Sequence, residues 1–180
     1  MISTKNLKFY NFKKKISSSK IKKELKLILG DKENEVINSL KLHYKYSYSK
    51  KFLSQFKRKF SSIRLIGMGG SVLGTKAIYS FLNSKIKKKI YFFDNLLPSI
   101  KKEKKTNLLN IIISKSGNTL ETISNTNNII KKNQRNIFIT ENKNNYLRTL
   151  ANQLKAEIVD HNNFIGGRYS VLSEVGMLPC

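Results

Sequence analysis

The sequence contains no tryptophan, two prolines, two histidines and one cysteine, Cys180, at its last position. A lone thiol excludes a disulfide framework within the chain and any iron–sulfur or zinc site built on several cysteines. With only His43 and His161 beside it, no metal constellation can be assembled, and neither a metal nor another cofactor is expected. Long hydrophobic runs are also missing. The apolar stretches are strand-length and broken by lysine, well short of the roughly 18 residues that span a bilayer. The opening MISTKNLKFYNFKKKISSSK lacks both the apolar core and the cleavage site of a secretory signal. A cytoplasmic protein with no membrane partner is expected.

Acidic residues are scarce as well: 11 Asp and Glu stand against 35 Lys and Arg, a formal net charge of +24. Such an excess raises the question of nucleic acid. Only five of the basic residues are arginines, however: Arg58, Arg64, Arg135, Arg148 and Arg168. The rest are lysines spread through the chain beside abundant Asn and Ile, the mark of a compositional bias and not of a patch selected for phosphates and bases. No specific nucleic-acid partner is expected, although a lysine coat helps to draw in small anionic substrates.

What the sequence does contain is enough apolar material, 39% of 180 residues, for one domain, or one domain with an appendage. Residues 1–60 are expected to form a basic N-terminal helical segment. In it Ile21, Leu25, Ile28 and Leu29 fall on one helix face stopped by Gly30, and Asp31 is positioned to cap a second helix with Val36, Leu40, Tyr44 and Tyr48 at four-residue spacing. From residue 61 to 180 short apolar runs at 63–68, 89–94, 108–114, 136–140 and 156–160 alternate with helix candidates near 71–83, 99–106, 119–132 and 144–154. That alternation predicts an α/β domain whose parallel sheet is covered by helices on both faces. Leu73, Ala77 and Phe81 are the apolar members of the first of these helices. Residues 170–178 read as a helix whose Val171, Leu172, Val175 and Leu178 need a partner surface. An end in such apolar sequence predicts a C-terminally truncated domain, with later strands and helices missing.

Three strand-to-helix junctions carry the candidate chemistry. Gly67-Met68-Gly69-Gly70-Ser71-Val72-Leu73-Gly74 combines a tight glycine turn with a helix N-terminus, a place suited to an anion. A dinucleotide fingerprint needs glycine where Val72 stands, despite Asp94 at the next strand end as a possible ribose partner. A P-loop needs Lys then Ser or Thr where the order is Thr75 then Lys76. A plain tight turn is the alternative. Ser114-Lys115-Ser116-Gly117-Asn118-Thr119 follows the apolar Ile111–Ile113 and offers hydroxyls, a lysine and helix amides to one phosphate, or simply caps a helix. Gly166-Gly167-Arg168-Tyr169-Ser170 holds an arginine behind paired glycines, fitted to stabilise an oxyanion or to make an ordinary ion pair; Tyr169 is expected to pack. His43 and His161 lie in polar contexts, and Glu121 and Glu174 fit helix-surface positions.

In order and spacing, GMGGSVLGTKA at 67–77, SKSGNTLET at 114–122 and GGRYSVLSEVGMLP at 166–179 resemble the phosphoglucose isomerase family. The middle motif alone would indicate only the broader sugar isomerase (SIS) class. One departure is Thr75, where the family usually has proline. The resemblance implies a three-layer αβα SIS-like fold and a cytoplasmic homodimer acting on a hexose 6-phosphate. The reaction implied is the cofactor-free interconversion of glucose 6-phosphate and fructose 6-phosphate through an enediolate, in glycolysis and gluconeogenesis. It assigns Ser114, Lys115, Ser116 and Thr119 to the substrate's phosphate, and Gly70, Ser71 and Gly167 to the lining of the same site. Arg168 matches the arginine that stabilises the enediolate. The family's proton-transferring glutamate and its ring-opening histidine and lysine lie C-terminal to the third motif, so this chain holds the phosphate-binding half, and His161, Glu121 and Glu174 are not placed in those roles. Two other classes stay open: a non-catalytic SIS-domain sugar-phosphate binder, and a basic protein associated with nucleic acid.

Overall fold

The computed structural model of the protein describes residues 19–57, 59–96 and 107–180. The helix expected at 99–106, the basic run Lys13–Lys15 and Arg58 lie outside the described residues. Elements follow in the order α1 (Ser19–Gly30), α2 (Glu35–Ser39), α3 (Lys50–Lys57), β1 (Ser62–Gly67), α4 (Gly70–Phe81), β2 (Lys89–Phe93), β3 (Leu108–Ile113), α5 (Leu120–Ile129), β4 (Arg135–Glu141), α6 (Tyr146–Gln153) and β5 (Glu157–His161). A 3-10 helix (Gly167–Leu172) and the short α7 (Glu174–Met177) complete it. All five apolar runs are strands of one sheet.

Every pairing in that sheet is parallel, and the strand order is β2-β1-β3-β4-β5. Because successive side chains of a strand alternate between faces, Ile63 and Leu65 join Ile111, Ile113, Ile137, Ile139 and Val159 on one face. There they meet Phe56 of α3, Val72 of α4, Val175 of α7 and Leu178 just after it. Ile66, Ile112 and Phe138 face the other way, onto Ile129 of α5 and Leu147 and Ala151 of α6. β3 is buried along its whole length, as a strand covered on both faces must be. Register is marked by one polar rung: Arg64, Asn110 and Asn136 are Cα partners across β1, β3 and β4. Asn110 accepts from Arg64 Nη1 at 3.3 Å and donates to Asn136 Oδ1 at 2.7 Å. A slip of one residue would put these polar groups into the apolar face opposite.

Several local expectations are corrected. The second helix is only five residues long, and its cap is Asn34, whose Oδ1 accepts from the Val36 and Ile37 amides; Asp31 instead accepts from Glu33 N. Tyr44 and Tyr48 lie beyond it in a cluster of rings with Tyr46. Helix α4 buries Val72 and Thr75 and leaves Leu73, Ala77 and Phe81 exposed, because the later C-terminal segment packs along the side carrying Thr75 and Gly74. The predicted helix at 170–178 breaks at Ser173 into a 3-10 helix and α7, with Leu172 and Tyr169 exposed. Helix α1 buries none of its residues.

Phe138 is fully buried at the centre of β4. Phe138→Ala is expected to cost about 3–5 kcal/mol, whereas Leu120→Ala, at an exposed site, should stay within about 0.5 kcal/mol. Urea denaturation of the two variants checks the contrast.

Candidate functional site

The strand order sets the position of the site. β1 is followed in sequence by β2 on one side and has β3 on the other, and the helices leaving β1 and β3 cover opposite faces. A crevice forms at the carboxyl ends of two such strands, where chains diverge and helix N-termini converge. Gly67 and Ile113, the last residues of β1 and β3, are register partners, so the first two glycine motifs leave the sheet side by side.

The first motif turns at Gly69, with φ +53°, a region that favours glycine. Gly70 then touches the third motif, since a Cβ there would lie 2.5 Å from both the carbonyl carbon and oxygen of Gly167. Farther along α4, Gly74 lies against Val171 in the same way. The hydroxyl of buried Thr75 donates to Val175 O at 3.2 Å, so the residue that departs from the family pattern ties α4 to α7. Ser71 is half-buried at the start of α4. The Asp94 carboxylate is paired with Lys76 Nζ at 2.5 Å, which leaves the dinucleotide reading without its ribose partner.

In the second motif, Ser114 is buried and its Oγ is the hub: it lies 2.9 Å from Thr119 Oγ1 and accepts from Gly117 N at 3.2 Å. Thr119 is the N-cap residue of α5 but makes no side-chain cap bond, its hydroxyl being turned to Ser114 instead. Ser116 is exposed and accepts from Asn118 N at 3.3 Å. All three hydroxyls lie in the six residues that lead into the open first turn of α5. Lys115 leads elsewhere. Its ammonium donates to Asn163 O at 2.7 Å and lies 3.4 Å from Glu141 Oε1, bridging the loop to the approach of the third motif. Burial disfavours the Glu141 carboxylate, but Lys143 and Lys115 outweigh it and hold its pKa below the ordinary value.

Arg168 sits exposed on the 3-10 helix and has no ion pair or hydrogen bond among the described residues. Arg64 is held by Asn110, Arg135 by Glu157 and Arg148 by Asp160, so these three serve the scaffold. Neither His161 nor Glu174 lies where the sequence suggests. Both are about 2% exposed and face each other, Nδ1 to Oε2, at 3.9 Å. His161 Nε2 donates to Ile165 O, one residue before Gly166, while Glu174 Oε1 accepts from Tyr44 Oη and Ser47 N, each at 3.2 Å. The pair therefore brackets the arginine turn and ties the 40–48 segment to it. Burial opposes ionisation of Glu174, yet the neighbouring imidazole and the amides of Glu174 and Ser47 prevail and lower its pKa; burial and this carboxylate push Tyr44 upward. Two polar residues spaced 13 apart gave no sequence signal of this contact.

The model of the phosphoglucose isomerase family matches residues 20–180. The chain belongs to the phosphoglucose isomerase family. Among curated relatives, the glucose-6-phosphate isomerase of Borrelia garinii is 37% identical over 139 residues, which cover 67% of this chain and 26% of that protein. That of Methanocaldococcus jannaschii is 37% identical over 133 residues, covering 67% and 32%. That of Mycoplasma genitalium is 33% identical over 151 residues, covering 71% and 35%. The chain thus spans between a quarter and somewhat over a third of these relatives' lengths. Two solved structures share the fold at low identity. A hypothetical protein of Thermus thermophilus gives a TM-score of 0.63 at 22% identity, over 89% of this chain and 42% of that one. A Bacteroides fragilis protein involved in capsule formation gives 0.51 at 17%, over 88% and 86%. The fold of this phosphoglucose isomerase family member is the three-layer αβα, SIS-like arrangement expected of it.

Gly70→Ala would press a methyl group into the Gly167 backbone and is expected to cost about 1–3 kcal/mol. Gly30→Ala, which meets nothing within 4 Å, is its neutral control in thermal unfolding. Glu174 contributes stability above the ordinary glutamate value of 4.5 and loses it as pH falls through its lowered folded value. Glu174→Gln should therefore be less stable than the parent at neutral pH, with the gap closing toward pH 3; parallel stability curves would contradict this.

Proposed function

We propose that this chain is the phosphate-binding part of a glucose-6-phosphate isomerase, a cytoplasmic enzyme that interconverts glucose 6-phosphate and fructose 6-phosphate through an enediolate. The observation that carries the reading is the meeting of all three family motifs at one end of the sheet: the Ser114–Thr119 loop beside the Gly67–Ser71 turn, with the Arg168 turn docked on Gly70. In this reading the hydroxyls of Ser114, Ser116 and Thr119 and the amides opening α5 take the phosphate dianion, for which a helix N-terminus is well suited. Lys115 adds positive charge beside it while anchoring the loop through Glu141 and Asn163. Gly70, Ser71 and Gly167 line the same site, the two glycines packing backbone to backbone so that the arginine turn is held beside it. Arg168, free of internal partners among the described residues, stabilises the negative charge that develops on the enediolate oxygen.

Proton transfer between C2 and C1 needs a base, and the family resemblance places it beyond the third motif. The chain by itself is therefore a binder without turnover, and the complete enzyme is a homodimer with neither a nucleic-acid partner nor a membrane partner. The coating of lysine raises the local concentration of anionic substrate without recognising it.

The test is an amide-resolved NMR titration of the 180-residue chain with glucose 6-phosphate and, separately, glucose. Shifts are expected at residues 114–120 and 67–71 with the phosphate ester only. Ser116→Ala, at an exposed site that leaves the fold intact, should weaken binding about tenfold by removing one hydrogen bond to a charged group. A coupled assay on the same sample should show no isomerisation. Equal responses to the two sugars, or turnover that survives purification, would overturn the reading.

A further inference from the structure

The loop between β3 and α5 is held from behind by another helix. Gly117 adopts φ +67°, and a Cβ on it would lie 2.0 Å from Asn145 Oδ1 and 2.1 Å from its Cγ. The Asn145 side chain thus rests directly on the Gly117 α-carbon. It is not free to turn aside: Oδ1 caps α6 by accepting from Arg148 N at 2.9 Å, while Nδ2 donates to Lys143 O at 2.9 Å, Thr140 Oγ1 at 3.2 Å and Glu141 O at 3.4 Å. Asn145 is 8% exposed.

The next amides of α6 are occupied by the loop itself. Tyr146 N donates to Asn118 Oδ1 at 2.9 Å and Leu147 N to Gly117 O at 3.1 Å. On the adjoining side, Lys115 O accepts from Glu141 N at 3.0 Å and from Thr140 Oγ1 at 3.2 Å. In a planar trans peptide the carbonyl and the following N–H point in opposite directions. Tying the carbonyls of Lys115 and Gly117 to β4 and α6 therefore turns the amides of Ser116 and Asn118 the other way. Asn118 N does face Ser116 Oγ, 3.3 Å away. Two alternate amides facing one side form an anion-binding concavity.

We infer that Asn145 is a positioning residue of the phosphate loop, wedging its carboxamide against Gly117 so that the Ser116 and Asn118 amides are presented to the phosphate. The inference rests on the phosphate reading of that loop. The position needs an acceptor for the helix cap and, at the same time, a donor that locks the carboxamide against Gly117. Asparagine supplies both. Serine would supply the cap alone, and aspartate would turn an acceptor toward two backbone carbonyls.

Asn145→Ser and Asn145→Ala in the 180-residue chain separate the two roles. Amide hydrogen exchange at Gly117 and Asn118 is measured without ligand, the affinity for glucose 6-phosphate by NMR titration, and the melting temperature in parallel. Asn145→Ser keeps the cap and is expected to melt within a few degrees of the parent. Its exchange at Gly117 and Asn118 should rise about tenfold and its affinity fall about tenfold, the scale of one charge-assisted hydrogen bond, with the ligand-induced shift of the Asn118 amide lost. Asn145→Ala should add a lower melting temperature. Parental exchange in Asn145→Ser, or a lowered melting temperature with parental affinity and Asn118 shift, would overturn the inference. If the parent itself binds no glucose 6-phosphate, the phosphate reading falls, while the exchange rates still decide whether Asn145 holds the loop.

Discussion

Two glycine backbones in contact, Gly70 at the start of α4 and Gly167 at the start of the 3-10 helix, set the dimensions of the site. Any side chain at Gly70 would push the arginine turn away from the end of β1, and with it the guanidinium that has no other partner among the described residues. The contact is local, but the geometry on either side follows from it. Gly74 against Val171 and Thr75 against Val175 continue the same seam down α4 and seat the C-terminal segment on the sheet. Gly67 fits the start of α4 against the end of β3, since a Cβ there would lie 2.9 Å from Ile113 O.

Around that seam the polar groups divide into those that hold and those that are open. Arg64, Asn110 and Asn136 fix the strands to one another, Asn145 holds the loop, and His161 with Glu174 brackets the arginine turn. All are buried, so each is costly to leave unpaired and correspondingly effective at specifying one arrangement. Ser116 and Arg168 are exposed at the same end of the sheet. Rigid backing with open donors in front is what keeps a small anionic site preorganised, because the loop pays its ordering entropy in folding and not again at binding.

The α/β class and all five strands were legible from apolar runs alone, as was the order of the three motifs. The buried sides of the helices were not. Leu73, Ala77 and Phe81 have helical spacing and hydrophobicity, yet α4 buries Val72 in the core on the sheet and Thr75 against Val175, a residue a hundred positions later. Helix α5 likewise buries Thr122, Asn125 and Thr126 while exposing Leu120: Thr126 Oγ1 donates to Thr122 O and Asn125 Nδ2 to Asn95 O, while the Thr122 hydroxyl is buried without a partner among the described residues, so polarity alone does not tell which side of the helix faces inward. Asp31 looked like a cap and Asn34 is one: both residue types suit the role, and only the backbone angles choose between them.

The sequence by itself determined the alternation of strands and helices, the glycine-bearing junctions and the hydroxyl-rich loop, since these depend on residue type and short-range spacing. Which strand ends stand together, which of the described arginines is left without a partner, and that His161 meets Glu174 or Asn145 meets Gly117 were decided only by the tertiary structure. Those contacts join segments brought together by strand order, and no periodicity along the chain records a distance in space.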